Sequence, residues 1–321
     1  MVHRPIEGIV AVMLTPFDSD GAIDYGSLPR LIDWYIANGV DVLFATCQSS
    51  EILMLSLEER VALSAFVVAQ AAGRVPVVAS GHIGQTREEQ LAELTAIAAT
   101  GPDAVILITN RLDPGNEGEA AFRDNLDWLL ERLPADMPLG LYECPAPYRR
   151  LLSDAELAHC AGTGRFVALK DVCCDLARIE RRLRIVEGTP LVIINANGTI
   201  ALEAMKAGSK GYSGVFTNIH PDLYAWMYRS WRDHPALAEE LSSFLAVSSV
   251  SELMGYPAIA KLYLQKLGVI DGIKCRVIDY DIRERFWWGG EPILDKIRSG
   301  SDRYRELIAA KQEITHAGGA S

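Results

Sequence analysis

The 321-residue sequence lacks the features that mark membrane, secreted and nucleic-acid-binding proteins. No apolar run approaches the ~20 residues of a membrane-spanning helix, and the short apolar run before Thr15-Pro16 predicts no signal peptide. The net charge of -11 argues against non-specific binding to nucleic acid, which needs a basic surface. A small anionic substrate is compatible with this charge, because a local cationic site can lie within an acidic protein.

The six cysteines show neither the spacing of a zinc site nor a C-x-x-C pair. Two of them, Cys173 and Cys174, are adjacent in the chain, and adjacent cysteines rarely form a disulfide with each other. We therefore expect reduced thiols and a cytoplasmic protein.

Short apolar runs recur along the first two thirds of the chain. They are continuous rather than alternating, as expected for parallel strands that are covered on both faces. There are eight: GIVAVMLT (8–15), VDVLFAT (40–46), VPVVAS (75–80), DAVILIT (103–109), MPLGLYE (137–143), RFVALK (165–170), PLVIIN (190–195) and KGYSGV (210–215).

Amphipathic segments with helix signals separate these runs. Three begin with a capping box, in which a hydroxyl and a carboxylate satisfy free backbone N–H groups: Ser56–Glu59, Thr86–Glu89 and Ser153–Glu156. Four end in glycine: Gly39, Gly73, Gly101 and Gly162. The alternation predicts an α/β protein, a (β/α)8 TIM barrel. A doubly wound sheet is the alternative fold, but no G-x-G-x-x-G follows the first run.

The pattern changes near residue 220, where helical segments replace the alternation. They are HPDLYAWMYRSW, ALAEELSSFLAVSSVSELM, PAIAKLYLQKLG and GEPILDKIRSGSDRYRELIAAKQE. We predict a barrel domain over residues 1–220 and a C-terminal helical extension over residues 221–321. We expect the extension to pack on the barrel without chemistry of its own.

The sixth apolar run ends in Lys170, which Asp171 follows. The C-terminal ends of barrel strands form the active face. Burial there would lower the pKa of Lys170, and a neutral amine can form a Schiff base with a carbonyl. The alternative is a structural ion pair between Lys170 and Asp171. Tyr142 ends the preceding run, where a phenol can act as general acid and base, or alternatively pack as a core aromatic.

Several motifs in the same order resemble the dihydrodipicolinate synthase / N-acetylneuraminate lyase family of pyruvate-dependent class I aldolases. GIVAVMLTPFDSDGAIDYGSLPRLIDW is similar to the family's opening. The tyrosine of the family's Y-N-x-P motif falls on Tyr142, with Pro145 in step, and the lysine of G-[IVL]-K-[DE] falls on Lys170. The later G-x-x-G-x-[IV]-S stretch falls on AGSKGYSG, which contains Ser213. The resemblance covers the barrel, residues 5 to 220, and more loosely the helical extension. It implies an imine on Lys170, proton transfer by Tyr142, no metal or organic cofactor, and a homodimer or homotetramer.

The chain departs from the family after the second run. The family's G-T-T-G-E, which holds the substrate carboxylate and relays protons, is here Cys47-Gln48-Ser49-Ser50-Glu51. The resemblance makes Ser49 the relay hydroxyl, and Gln48 and Ser50 substrate-binding residues. The alternative is a loop that only caps polar groups. The family's T-P-Y-Y, whose last tyrosine reaches a neighbouring subunit, is here Thr109 to Leu112.

Three further positions are candidates for substrate binding. Arg149 lies close to the position of the arginine of dihydrodipicolinate synthases, which aligns with Pro147. Asn197 follows the seventh run, where family members contact distal substrate groups, and His82 follows the third. The alternatives are a surface arginine, an ordinary Asn-Gly turn and a structural histidine.

We predict a Schiff-base-forming class I aldolase, lyase or dehydratase that acts on pyruvate or a 2-oxo-3-deoxy sugar acid. One alternative is a barrel that has lost catalysis and binds a small 2-oxo acid as a sensor or regulatory protein. A further alternative is dihydrodipicolinate synthase or N-acetylneuraminate lyase proper. Leu112 and Pro147 disfavour dihydrodipicolinate synthase. No His, Asp and Glu cluster falls at the strand ends to support a metal-dependent barrel enzyme. No nucleic-acid or membrane partner is expected.

Overall fold

Each of the eight predicted apolar runs coincides with a β-strand in the computed structural model, which describes residues 4–318, and the sixth strand extends one residue beyond its run. The strands are parallel, pair in chain order and close into a barrel through the pairing of the last strand with the first. This confirms the (β/α)8 barrel and rejects the doubly wound sheet. The strands are β1 Gly8–Val12, β2 Val42–Phe44, β3 Val77–Ser80, β4 Ala104–Ile108, β5 Leu139–Tyr142, β6 Phe166–Asp171, β7 Val192–Asn195 and β8 Gly211–Tyr212.

A helix follows each strand, and the predicted start signals form in the structure. The Ser56 hydroxyl accepts a hydrogen bond from the Glu59 N–H, and the Glu59 carboxylate accepts one from the Ser56 N–H. The boxes at Thr86 and Ser153 form in the same way. The helices are α1 Leu28–Ala37, α2 Leu57–Ala71, α3 Arg87–Ala98, α4 Glu119–Leu130, α5 Asp154–Gly162, α6 Leu176–Ile185, α7 Ala201–Ala207 and α8 Pro221–Ser230.

One predicted helix end is shifted by two residues. Gly162 is the last residue of α5, and the left-handed φ of 69° belongs to Gly164. The other three glycines adopt positive φ just after their helices, as the sequence pattern predicts.

The predicted domain boundary at residue 220 falls just before a helix that packs on the barrel. Helix α8 lies beyond residue 220, yet it packs on β1 and completes the eighth β/α unit. A boundary after Ser230 would keep that unit whole, and the division into two domains stays a prediction. The remaining helices are α9 Pro235–Ser249, α10 Ala258–Lys266, α11 Ile282–Arg285 and α12 Gly290–Gly318. The sequence pattern did not predict α11. Within residues 4–318 no helix combines the length and the apolar character needed to cross a bilayer.

The barrel interior positions two strand ends for chemistry. Gly140 of β5 pairs with Ala168 of β6, and two residues further along Tyr142 pairs with Lys170. Side chains alternate along a strand, so all four face the barrel interior. A Cβ on Gly140 would lie 2.4 Å from Cδ1 of Ile106. Gly140 therefore leaves room for the Ile106 side chain in the layer beneath, and Tyr142 and Lys170 lie at the open end.

Candidate active site

Lys170 lies among aromatic rings at the C-terminal end of the barrel. Its Nζ is 4.6 Å from the ring centroid of Tyr142 and 5.8 Å from that of Phe44. The two rings contact each other edge to face, with centroids 5.7 Å apart. Aromatic faces attract a cation but give it no hydrogen bond or neutralising charge.

Lys170 has no carboxylate partner among the residues that the structure describes. The Asp171 side chain points to the opposite face of β6 and bonds to Arg182, so the alternative of a Lys170–Asp171 ion pair is wrong. Burial lowers the pKa of Lys170, and only the nearby thiols of Cys47 and Cys144 oppose this shift. A larger share of the amine is therefore neutral and nucleophilic near pH 7 than in an exposed lysine.

A buried ion network behind the two strands determines which way their side chains face. Arg182 of α6 donates to both carboxylate oxygens of Glu143, at 3.0 and 2.5 Å, and also to Asp171. It donates to the Leu152 carbonyl at 3.0 Å. Burial alone would lower the pKa of Arg182, but the two carboxylates outweigh burial and raise it. With Glu143 and Asp171 held outward, the preceding residue of each strand faces inward.

Sequence reasoning missed this network. Arg182 lies in the run Arg181-Arg182-Leu183-Arg184, and nothing in the run distinguishes the buried arginine from its neighbours. The one available signal is its spacing of three residues from the buried Ile179, which places both on one helix face.

A cavity of about 500 Å³ opens above Lys170. Six of the predicted site residues line it: Gln48, Ser49, Tyr142, Lys170, Asn197 and Ser213. Its size is typical of a site for a small molecule. The structure thus brings together, around one space, residues that are up to 165 positions apart in the sequence.

Polar groups near Lys170 have free hydrogen-bonding capacity. The Gln48 side-chain oxygen accepts from the Cys144 thiol at 3.5 Å, which leaves its amide nitrogen without a partner among the described residues. The Ser213 hydroxyl is buried and unpaired within the same part of the chain. The Ser49 hydroxyl lies against the phenol of Tyr256. These groups can donate hydrogen bonds to a bound anion.

Tyr142 is protonated at neutral pH. Burial raises its pKa well above 10, and the neighbouring thiols of Cys144 and Cys47 raise it further. Tyr142 can therefore act first as a proton donor, and as a base only when a cation forms beside it.

The side chain of Asn197 makes a structural contact through its oxygen and keeps a free donor on its nitrogen within the described residues. Its side-chain oxygen caps the turn Gly198–Ile200 by accepting from the N–H and hydroxyl of Thr199, at 2.7 and 2.6 Å. Its amide nitrogen has no partner among the described residues, and the side chain lines the cavity. The turn and the substrate contact are therefore compatible interpretations.

Three predicted substrate-binding residues do not reach the cavity. The Ser50 hydroxyl is 2.7 Å from the Met13 carbonyl and 3.0 Å from that of Ala45, so it joins the ends of β1 and β2. Arg149 donates to the carbonyls of Val172 and Cys173, both at 2.8 Å, and supports the loop after β6. These contacts correct the expectation that Ser50 and Arg149 touch substrate.

His82, the third, is buried outside the cavity with both ring nitrogens in use. Nε2 accepts from the Ile108 N–H at 2.5 Å, and Nδ1 donates to the Gln90 side-chain oxygen at 3.2 Å. Burial lowers the pKa of His82 to about 4. The histidine is therefore placed as a neutral structural residue, which corrects its assignment to the substrate site.

The C-terminal extension packs on the barrel and lines part of the cavity. Its lining residues are Ser249, Val250, Glu252, Leu253, Tyr256, Pro257 and Val277. Buried Lys261 of α10 bonds to Glu51 at 2.7 Å, and Glu51 accepts from the backbone N–H groups of Arg276 and Val277. The extension thus holds the loop that carries Gln48 and Ser49.

A closed parallel barrel with a lysine and a tyrosine at neighbouring strand ends defines a (β/α)8 enzyme with a class I aldolase fold, of the lyase class. Residues 5–277 match the model of the dihydrodipicolinate synthetase family, so the chain belongs to that family. It is a divergent member: the 4-hydroxy-tetrahydrodipicolinate synthase of Psychrobacter arcticus is 29% identical over 287 residues, which are 86% of this chain and 91% of that protein.

Two solved structures have the same fold. Dihydrodipicolinate synthase from Bacillus anthracis superposes with a TM-score of 0.81 at 22% identity, over 91% of this chain and 97% of that one. The chloride-inhibited dihydrodipicolinate synthase from Acinetobacter baumannii, complexed with pyruvate, gives 0.80 at 22% identity, over 92% and 99%. Within residues 4–318, no group of three or more His, Cys, Asp and Glu side chains is placed to hold a metal ion.

Proposed function

We propose that the protein is a class I aldolase or dehydratase in which Lys170 forms a Schiff base with C2 of pyruvate or of a 2-oxo-3-deoxy sugar acid. One observation carries the proposal: the Lys170 amine, unpaired within the described residues, lies 4.6 Å from the Tyr142 ring at the base of a cavity. An unpaired buried ammonium destabilises a fold, so a chemical role explains its position better than a structural one.

The proposed first step forms the imine. The neutral amine attacks C2, and after a proton moves from nitrogen to oxygen the product is a carbinolamine. Tyr142 donates its phenolic proton to the carbinolamine hydroxyl, which leaves as water. The iminium on Lys170 and the Tyr142 phenolate then stabilise each other as an ion pair. The raised pKa of Tyr142 suits this order, since the phenol keeps its proton until the cation forms.

The proposed second step uses the iminium as an electron sink. In cleavage, the phenolate takes the proton of the C4 hydroxyl, the C3–C4 bond breaks, and its electron pair moves into the iminium to give an enamine and an aldehyde. In dehydration, the phenolate takes a C3 proton to give the enamine, and Tyr142 then returns that proton to the C4 hydroxyl, which leaves as water and gives a conjugated iminium. Protonation of the enamine in cleavage, and hydrolysis of the iminium by water in both reactions, release the product and the lysine. The lysine supplies the electron sink, so the proposal needs no metal or organic cofactor.

Gln48, Ser49 and Ser213 are the proposed ligands of the substrate carboxylate. All three line the cavity beside Lys170. Gln48 and Ser213 each have a hydrogen-bond donor that is unused within the described residues. Holding the carboxylate fixes C2 relative to the amine, and such positioning is a large part of catalysis. Asn197, across the cavity, is the proposed ligand of a distal hydroxyl.

The charges of the cavity favour a substrate with only one carboxylate. Lys170 and Glu252 are the charged side chains in its described lining. Arg150, the neighbour of Arg149, is buried between Asp113 and Glu156 at 2.9 and 2.6 Å and is not available to bind a second carboxylate. A polyhydroxylated 2-oxo-3-deoxy acid suits such a cavity. An aldehyde substrate that carries a second carboxylate does not, which argues against dihydrodipicolinate synthesis, the activity named for the curated relative.

The remaining expectations belong to the same proposal. Five of the six cysteines are buried and all are free thiols, which is consistent with a reducing compartment, and we propose a cytoplasmic location. A homodimer or homotetramer is proposed from the family resemblance. Nucleic acid is an unsuitable partner for a chain of net charge -11.

Borohydride trapping tests the proposed function. The protein is incubated with pyruvate and reduced, and the adduct is located by peptide mass spectrometry. We expect the adduct on Lys170, its absence from Lys170→Ala, and its persistence in Lys210→Ala, which removes an exposed lysine. Turnover is then compared for 2-oxo-3-deoxy sugar acids and for pyruvate with an acidic aldehyde. No adduct with any 2-oxo acid, together with a thermal shift caused by pyruvate, would replace the proposal with a binding or regulatory role.

A further inference from the structure

The loop after β4 lacks the tyrosine that family members contribute to a shared active site. Leu112 occupies the position of the family's last tyrosine in T-P-Y-Y. Its side chain is fully buried in the hydrophobic core. Neither this chain nor a second copy can therefore place a phenol in the cavity from position 112. The Ser49 hydroxyl would need another partner to exchange its proton.

Tyr256 of the C-terminal extension supplies a phenol at this place. It lies between the turn Val250–Met254 and α10, and it lines the cavity above Lys170. The Ser49 hydroxyl lies against its phenol. The contact joins the strand-two loop to a residue more than 200 positions later in the chain.

The position of the Tyr256 oxygen is fixed from behind. It accepts a hydrogen bond from the side-chain nitrogen of Asn218 at 3.0 Å. Asn218 is fully buried and its amide is in turn held by the Val12 carbonyl at 3.0 Å and by the Tyr35 hydroxyl. The same Asn218 nitrogen lies 3.0 Å from the Val215 carbonyl, so its two hydrogens are shared among three acceptors. The Ser49 hydroxyl is the hydrogen-bonding neighbour that lowers the pKa of the Tyr256 phenol.

The phenols of Tyr256 and Tyr142 are electrostatically coupled. A charge on Tyr256 raises the pKa of Tyr142, and burial raises the pKa of both well above 10. One negative charge at a time is therefore favoured in this part of the cavity. Such a pair can exchange a proton between them without holding two anions.

We propose that Tyr256 is the second phenol of the site and passes protons between solvent and Tyr142 through Ser49. It would replace, within one chain, the tyrosine that the family takes from a neighbouring subunit, and each protomer would carry a complete site. This inference rests on the proposed function of Lys170 and Tyr142. Tyr256 acts through Ser49 and so is a positioning and relay residue.

The proton balance gives the relay a distinct signature. In the pyruvate imine, the Tyr142 phenolate takes a proton from C3, and the electron pair forms the enamine. Tyr142 passes that proton to the Ser49 oxygen as the Ser49 proton moves to Tyr256, and the Tyr256 proton leaves to water. In D₂O the reverse path delivers deuterium to C3. Without the relay, Tyr142 returns the same proton, so exchange slows while the imine still forms.

The experiment measures two quantities on the full chain with pyruvate: C3 deuterium exchange by proton NMR, and the amount of borohydride-trapped adduct. We expect Tyr256→Phe to lower the exchange rate by about 10²-fold or more, as for other general acid–base groups, with trapping within about threefold of wild type. The control Tyr263→Phe, which removes a phenol from α10 outside the cavity lining, should change neither quantity.

Ser49→Ala and the double variant test whether the two residues act as a unit. Ser49→Ala should slow C3 exchange as much as Tyr256→Phe does. The double variant should slow exchange by less than about threefold beyond either single variant, because the effects of two residues in one relay are not additive. Exchange within about threefold of wild type in Tyr256→Phe, or multiplicative losses in the double variant, would overturn the relay while the imine stands. An absent adduct in the wild-type protein would overturn the proposed function and the relay together.

Discussion

Replacing Arg182 with methionine tests whether the buried ion network holds the two reactive strand ends. The substitution keeps much of the side-chain volume but removes the donors to Glu143, Asp171 and the Leu152 carbonyl. Two carboxylates then stay buried without a counter-charge. Removing one partner of a buried ion pair costs about 3–5 kcal/mol. Domains commonly have a free energy of unfolding of ~5–15 kcal/mol, so the variant should fold, but its free energy of unfolding should be clearly lower than that of the wild type.

Arg181→Met is the matched control, one residue away on the same helix. Arg181 pairs with Asp154 at 2.7 Å, but the side chains are 44% and 49% exposed. Such a surface pair contributes about 0–1 kcal/mol. Urea unfolding of both variants at pH 7 measures how much each substitution lowers the free energy of unfolding under the same conditions. A loss for Arg182→Met within about 1 kcal/mol of that for the control would refute the reasoning.

The pH dependence of the deficit identifies its cause. Burial already raises the pKa of Glu143, and Arg182→Met removes the guanidinium that opposes this shift, so the pKa of Glu143 should rise further above its unfolded value. The folded variant then binds more protons than the unfolded chain, so its stability falls as pH rises through this range. The deficit should therefore be smaller at pH 5 than at pH 7. A deficit that does not change with pH would point to lost packing instead.

Two further titrations follow from buried bases. Lys170→Met should raise the free energy of unfolding at pH 7, because burial lowers the pKa of Lys170, and the gain should vanish as pH rises to the ordinary value of 10.5; a loss at pH 7 in urea unfolding would contradict this. The pKa of His82 is lowered from 6.5 to about 4, so stability should fall by ~3 kcal/mol as pH drops through that window. His82→Gln should flatten this part of the stability curve, and an unchanged slope would count against it.

The barrel and its two central residues could be predicted because they depend on short-range rules. Continuous apolar runs and helix caps determine the strand and helix order. The period of two within a strand then places the last inward residue of β5 and β6 at the open end. Tyr142 and Lys170 follow from these rules without any knowledge of distant contacts. Gln48, Ser49, Asn197 and Ser213 are near strand ends as well, and the structure brings them to the same cavity.

Residues whose placement depends on tertiary contacts could not be found this way. His82 follows a strand as Ser49 does, but its ring is buried against the β4 backbone and not in the cavity. Arg182 looks like its exposed neighbours until α6 packs on the barrel. Tyr256 lies in a segment with no strand to place it, and only the packing of the extension brings it to Ser49. Patterns report local geometry, and these positions are determined by long-range packing.

The altered strand-two loop and the C-terminal extension form one structural unit. Glu51 adopts a left-handed φ of 60°, which a residue other than glycine does at a cost of ~1–3 kcal/mol. Its carboxylate bonds to buried Lys261 and to two backbone N–H groups of the extension, and these contacts offset that strain. The turn at Glu51 is therefore held in place by this extension. The same extension carries Tyr256, so one set of contacts fixes the loop that bears Ser49 and connects it to the segment that bears the proposed second phenol.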